Sequence, residues 1–148
     1  MISTDIMGKQ MKFDIDVPVF GDTEYRDKKC PSEALEQVTF FNRVRKQYPD
    51  TWGKIATHIR NEGKFSVQQR TKQKAEGMTP GASDIIIPGN PTFVCEMKRR
   101  DHTVSKWQDG QKDYLLTSQK MGAFACVALG ADAAMEALEK WISLQSTN

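Results

Sequence analysis

Nowhere does the sequence hold as many as about eighteen consecutive apolar residues, the length a helix needs to cross a bilayer. The first residues, MISTDIMGKQMKFDID, interrupt every apolar stretch with charge, which argues against a secretory leader. A soluble, cytoplasmic protein with no membrane partner is the expectation. Cysteine is scarce: Cys30, Cys95 and Cys126 are odd in number, far apart, and show neither CxxC nor Cys/His ligand spacing. That excludes a disulfide framework and a zinc module, and leaves Cys95 and Cys126 as small core hydrophobes in strands. No internal repeat or low-complexity tract occurs. The formal net charge of +2 is too small to point to nucleic acid by its sum.

What is present reads as one domain, since 148 residues suffice to bury a core without staples. Residues 1–30 are the least regular part. Phe13, Ile15, Val17 and Val19 alternate with charged or turn-forming neighbours, the period of a half-buried strand, so an edge strand, a partner-binding arm or a simple tail is expected ahead of a domain over 31–148. Pro31 and Ser32 open a helix to about Tyr48, with Ala34, Val38, Phe41, Val44 and Tyr48 on its core arc and Glu36 turned to solvent. Residues 54–60 suggest a short strand or an irregular connection, and 66–75 a polar helix stopped by Gly77. Gly77-Met78-Thr79-Pro80-Gly81 is a loop able to bring backbone close to another group.

SDIIIP and TFVCEMK, separated by Gly89-Asn90-Pro91, read as an antiparallel hairpin. Ser105 and Gln108 have capping-box spacing for a helix to about Met121, ended by Gly122. The apolar run from Ala123 to Leu129 is then a buried strand parallel to its neighbour, and 132–144 a closing amphipathic helix. The fold class expected is α/β, a mixed sheet flanked by helices.

Strand alternation puts Val94, Glu96 and Lys98 on one face of the second hairpin strand and Cys95 and Met97 on the other. The hairpin brings Asp84 to the same neighbourhood. Hydrolysis of a phosphodiester needs an activated water, relief of negative charge at phosphorus, and help for the leaving oxygen. Two carboxylates, with the Cys95 backbone carbonyl as a further donor, suit Mg²⁺ or Mn²⁺. A lysine beside them can orient water and stabilise developing charge. The same three side chains also read as a solvent-facing pair, Glu96 with Lys98, next to a turn acid.

Basic residues cluster in two places: Lys64, Arg70, Lys72 and Lys74 without an acid among them, and Lys98-Arg99-Arg100. Arg70, Lys72, Lys74, Arg99 and Arg100 are the candidates for phosphate contact, although such charges also suit a solvated helix face. His58 and His102 read as surface or loop histidines. Trp107 falls on the apolar arc of its expected helix with Tyr114 and Met121, and Trp141 on that of the last helix.

The ordered set SEALEQ at 32–37, RNEG at 60–63, KAEGMTPGASDIII at 74–87, FVCEMKRR at 93–100 and SKWQ at 105–108 resembles the VRR-NUC family. That family is a branch of the PD-(D/E)XK nucleases, and the likeness runs over roughly residues 31–130. It implies a restriction-endonuclease-like core in which Asp84 and Glu96 are metal carboxylates and Lys98 is the catalytic lysine. It also implies that Glu33 reaches the metal directly or through water, and that Gln108 is the supporting glutamine. Glu62, in the RNEG segment, is either a supporting residue or a turn acid. Ser83 stands where the superfamily name has proline, a residue that shapes the chain and does no chemistry. The resemblance further implies a Mg²⁺- or Mn²⁺-dependent endonuclease in a bacterial or phage-infected cell, acting as a homodimer on branched DNA such as four-way junctions. A monomeric flap or single-strand nuclease, and a catalytically silent DNA-binding or phage interaction protein, are the alternatives.

Overall fold

A computed structural model describes residues 15–60 and 65–145. Phe13, the Asn61-Glu62-Gly63 turn and Lys64 lie outside them. The architecture is α/β, a five-stranded mixed sheet flanked by helices. Its strands are β1 (Val19–Phe20), β2 (Thr57–His58), β3 (Ile85–Ile87), β4 (Phe93–Lys98) and β5 (Phe124–Leu129), in the order β1-β5-β4-β3-β2. β3 and β4 form the antiparallel hairpin, and β5 runs parallel to β4 and to the edge strand β1. Among the described residues no helix is long and apolar enough to cross a membrane.

Alternation divides the core into two layers. Phe93, Cys95 and Met97 join Cys126 and Ala128 in a cluster covered by α1 (Glu33–Gln47) and α5 (Ala131–Ser143). Val94 joins Ala125, Val127 and Leu129 in a second cluster with Leu115 of α4 (Gln111–Lys120), Ile15 and Val17. Glu96 and Lys98 share the Val94 face, so they sit on the α4 side of the sheet. Residues 15–30 pack against this same body. Asp101 accepts from the Asp27 N–H at 2.8 Å, and Arg99 donates to the carbonyls of Lys28, Cys30 and Pro31.

α1 is capped by Ser32, whose hydroxyl accepts from the Leu35 N–H. Its inward face differs from the expected arc: Glu36, Phe40, Phe41 and Val44 are buried, whereas Ala34 and Val38 are exposed. Glu36 does not face solvent. One of its carboxylate oxygens, Oε1, accepts from the Ala131 N–H at 3.1 Å, where α5 begins, and the other lies 3.8 Å from Arg100 Nε. The positive end of a helix dipole and a nearby guanidinium compensate an acid that hydropathy alone assigns to the surface.

Residues 52–58 form a one-turn helix, α2 (Trp52–Ile55), followed by β2. α3 (Val67–Ala75) carries a complete capping box, Ser66 with Gln69, but none of its residues is buried. The helix expected from residue 105 begins instead at Gln111, after a 3-10 turn over His102–Val104 and an irregular stretch. Ser105 cannot cap it because its hydroxyl is engaged elsewhere, and Gly110, at φ +87°, turns the chain into α4. Trp107 therefore precedes the helix, and Met121 is exposed. His102 is buried, with Nε2 3.1 Å from the Thr23 carbonyl, and so is not a surface histidine. Trp141 is in the core, as expected.

Candidate active site

The hairpin register sets the site. β3 pairs with β4 only as far as Ile85 opposite Cys95, so β4 runs on past the end of its neighbour. Asp84, immediately before β3, fills the space left: its Oδ2 accepts from the Met97 N–H at 2.9 Å, and both groups are buried. The Asp84 carbonyl is in turn held by the Ile59 N–H and by His58 Nδ1, each at 2.9 Å.

Glu96 is fully buried. Its Oε2 lies 3.6 Å from Lys98 Nζ and accepts from Gln111 Nε2 at 3.0 Å, whereas its Oε1 has no hydrogen-bond partner. Burial pushes the Glu96 carboxyl well above the usual carboxylate range, and the neighbouring Asp84 pushes it further; Lys98 acts in the opposite direction. Two acids crowded in a dry place, with one oxygen of Glu96 unanswered and a single ammonium, that of Lys98, beside it, form a centre that a further cation would compensate.

Lys98, also buried, is fixed by the chain around it. Its ammonium donates to the Lys106 carbonyl at 2.6 Å and to Gln111 Oε1 at 2.9 Å, and lies 4.9 Å from the centre of the Trp107 ring. Glu33, on the first turn of α1, accepts from the Ser105 hydroxyl at 3.0 Å, and that hydroxyl accepts from the Arg99 N–H. Asp84, Lys98, Glu33 and Gln111 all border one open cleft of about 1660 Å³.

Asp84, Glu96, Lys98 and Glu33 are thus brought together. Gln108 is not the residue at the centre. It is exposed and precedes α4, and its backbone N–H supports Gln111, whose side chain makes both contacts. Both glutamines stand in Gln-Asp-Gly-Gln, and Gly110 is the signal that the helix starts at the second. The Cys95 carbonyl is also displaced as a candidate donor. The Met97 N–H points to the β3 edge, so Cys95, two residues earlier, presents both its backbone groups to Ile85 within the ladder. The Cys95 thiol is a core group held by Cys126, a bond that, with burial, raises it well above its usual range.

The basic candidates separate into two groups. Arg70 and Lys74 border the cleft, and Lys72, exposed on the same helix, stands 3.9 Å from Glu76. Arg99 and Arg100, expected to meet phosphate, are engaged within the fold. Arg99 binds backbone carbonyls of the 28–31 loop, and Arg100 pairs with Glu36 and with Asp132 at 3.5 Å.

No protein-family profile and no functionally curated protein matches the sequence. Among solved structures, a protein described as "VRR_NUC domain protein" is similar, with a TM-score of 0.66 and 22% identity, over 81% of this chain and 95% of that one. At that identity the likeness is one of architecture, and the chain has the fold of a VRR-NUC domain.

Proposed function

We propose that this chain is a metal-dependent nuclease that hydrolyses the phosphodiester backbone of DNA. The observation that carries the reading is the buried Glu96 carboxylate beside Asp84, with its Oε1 lacking any hydrogen-bond partner. The donors available suit a hard, oxygen-seeking cation. Asp84 and Glu96 offer carboxylate oxygens, not the Cys and His donors of a closed zinc-type site. Mg²⁺ and Mn²⁺ need fewer protein ligands and keep positions for water and phosphate. Asp84 and Glu96 would hold the ion, and Glu33 would reach it through water. The Met97 carbonyl replaces that of Cys95 in this set, because it lies on the strand edge that β3 leaves uncovered. When bound, the ion supplies Lewis acidity and an acidified water.

The remaining work belongs to the chain. Lys98, immobilised by three groups, presents a fixed positive charge at the cleft to the phosphate oxygens on which negative charge develops. Gln111 keeps Glu96 and Lys98 in mutual register. Arg70 and Lys74 draw the backbone in without reading sequence.

We infer further that the substrate is branched DNA, such as a four-way junction, and that the active form is a homodimer, since symmetrical incision of two strands needs two sites at a fixed distance. The test is a panel of end-labelled junctions, flaps, duplexes and single strands incubated with Mg²⁺, Mn²⁺ or EDTA, together with a solution mass. Cleavage that depends on the cation and disappears in Asp84→Ala is the expected result. Turnover that persists in EDTA would remove the metal from the mechanism, and a monomeric mass would remove the dimer.

A further inference from the structure

The cleft has two kinds of wall. On α1, Ala34 and Val38 face the opening, and Val38 is 56% exposed. The half-buried ring of Phe65 adds a second apolar surface. α3 contributes Arg70 and Lys74 to the cleft and buries none of its nine residues. A helix shorter than about 12–15 residues is marginal in water unless something packs on it. This one is anchored by its capping box, and its charge is mostly of one sign.

A DNA duplex presents phosphates on its outside and hides the faces of its bases, so it offers Val38 and Phe65 far less to cover. An unpaired strand offers both: phosphates along one side, and base faces that aromatic and aliphatic side chains can cover. Resting on the nuclease reading above, we propose that the cleft receives an unpaired DNA strand, its bases against Ala34, Val38 and Phe65 and its phosphates along Arg70 and Lys74. α3 gains in that complex the packing partner it lacks alone. A flap supplies such a segment, and a four-way junction does so once base pairs at its exchange point open, whereas an uninterrupted duplex does not.

The test separates binding from cutting. A fluorescein-labelled thymidine oligonucleotide and a blunt duplex of equal length are titrated by anisotropy with Ca²⁺ in place of Mg²⁺. The single strand should bind at least about tenfold more tightly, and Val38→Gln and Phe65→Ala should each weaken it about fivefold while leaving duplex binding in place. Arg70→Ala with Lys74→Ala should weaken both probes and flatten their salt dependence. Circular dichroism melts identify any variant that has failed to fold, and Val38→Gln, at an exposed position, is the decisive one. Equal or tighter duplex binding, or an unchanged single-strand affinity in Val38→Gln, overturns the proposal. Wild-type protein that binds the single strand in this way yet cuts nothing with Mg²⁺ or Mn²⁺ would overturn the nuclease reading alone. Protein that cuts but prefers duplex would overturn only this inference.

Discussion

Gln111 joins Glu96 to Lys98: its Nε2 donates to Glu96 Oε2 at 3.0 Å while its Oε1 accepts from Lys98 Nζ at 2.9 Å. A single amide, planar and unable to titrate, thus holds an acid and a base in a fixed relation. Gln111→Ala should lower kcat/KM for DNA cleavage about 100-fold, with the fall in kcat. Gln108→Ala, which leaves the backbone N–H in place, should stay within about threefold of wild type. Steady-state kinetics on a single junction substrate decide between them, and equal effects would return the supporting role to Gln108.

The crowding of Glu96 and Asp84 has a thermodynamic signature. Because the Glu96 carboxyl is raised in the folded protein, the unfolded chain releases that proton first as pH climbs from the ordinary glutamate range to the raised value, and stability falls across that window. In EDTA at neutral pH, Glu96→Gln should therefore melt a few degrees above wild type. Excess Mg²⁺ or Mn²⁺ should raise the wild-type melting temperature and leave the variant unmoved. A cation-induced shift of the same size in both proteins would place the ion elsewhere.

Asp101 behaves in the opposite sense. The Thr103 hydroxyl at 2.6 Å, together with the N–H groups of Asp27 and Thr103, holds its carboxyl below the usual aspartate range. Its contribution to stability is complete above the unfolded value and is lost as pH falls through the lowered folded one. The gap between wild type and Asp101→Asn in urea unfolding should be widest near neutrality and close in acid. A gap independent of pH would mean that shape, not charge, fastens the 22–31 loop.

Glu36 is expected to matter for stability and not for chemistry. Glu36→Ala removes the acceptor at the start of α5 and leaves Arg100 with the exposed Asp132, at a cost of about 2 kcal/mol. Denaturant unfolding measures this, and a loss below about 0.5 kcal/mol would mean that water replaces the carboxylate without penalty.

Much of the scaffold was legible because it follows period and punctuation. The hairpin, the parallel return of β5, the Ser32 cap and the closing helix all carry local signals in residue order. Asp84, Glu96 and Lys98 were legible for the same reason, since alternation within β4 and the hairpin turn fix their faces. What escaped depends on contacts distant in sequence. Glu36 is buried because a helix starting 95 residues later needs an acceptor, which no window around position 36 contains. Ser105 has the spacing of a cap, but Glu33 and Arg99 claim its hydroxyl first, so α4 begins late and Gln111 takes the position that Gln108 was expected to hold. Arg99 and Arg100 looked free because their acceptors, a loop at 28–31 and acids on two other helices, converge only in the fold.

Gly81 and Gly110 touch main chain to main chain: a methyl group on Gly81 would sit 2.3 Å from the carbonyl carbon of Gly110. The segments leading to Asp84 and to Gln111 are therefore riveted with nothing between them, and their spacing does not depend on any side chain adjusting. Even an alanine at position 81 would act as a wedge, forcing apart the strand-side and helix-side halves of the centre although no reactive side chain had been removed, so that a catalytically complete sequence would be mechanically out of true.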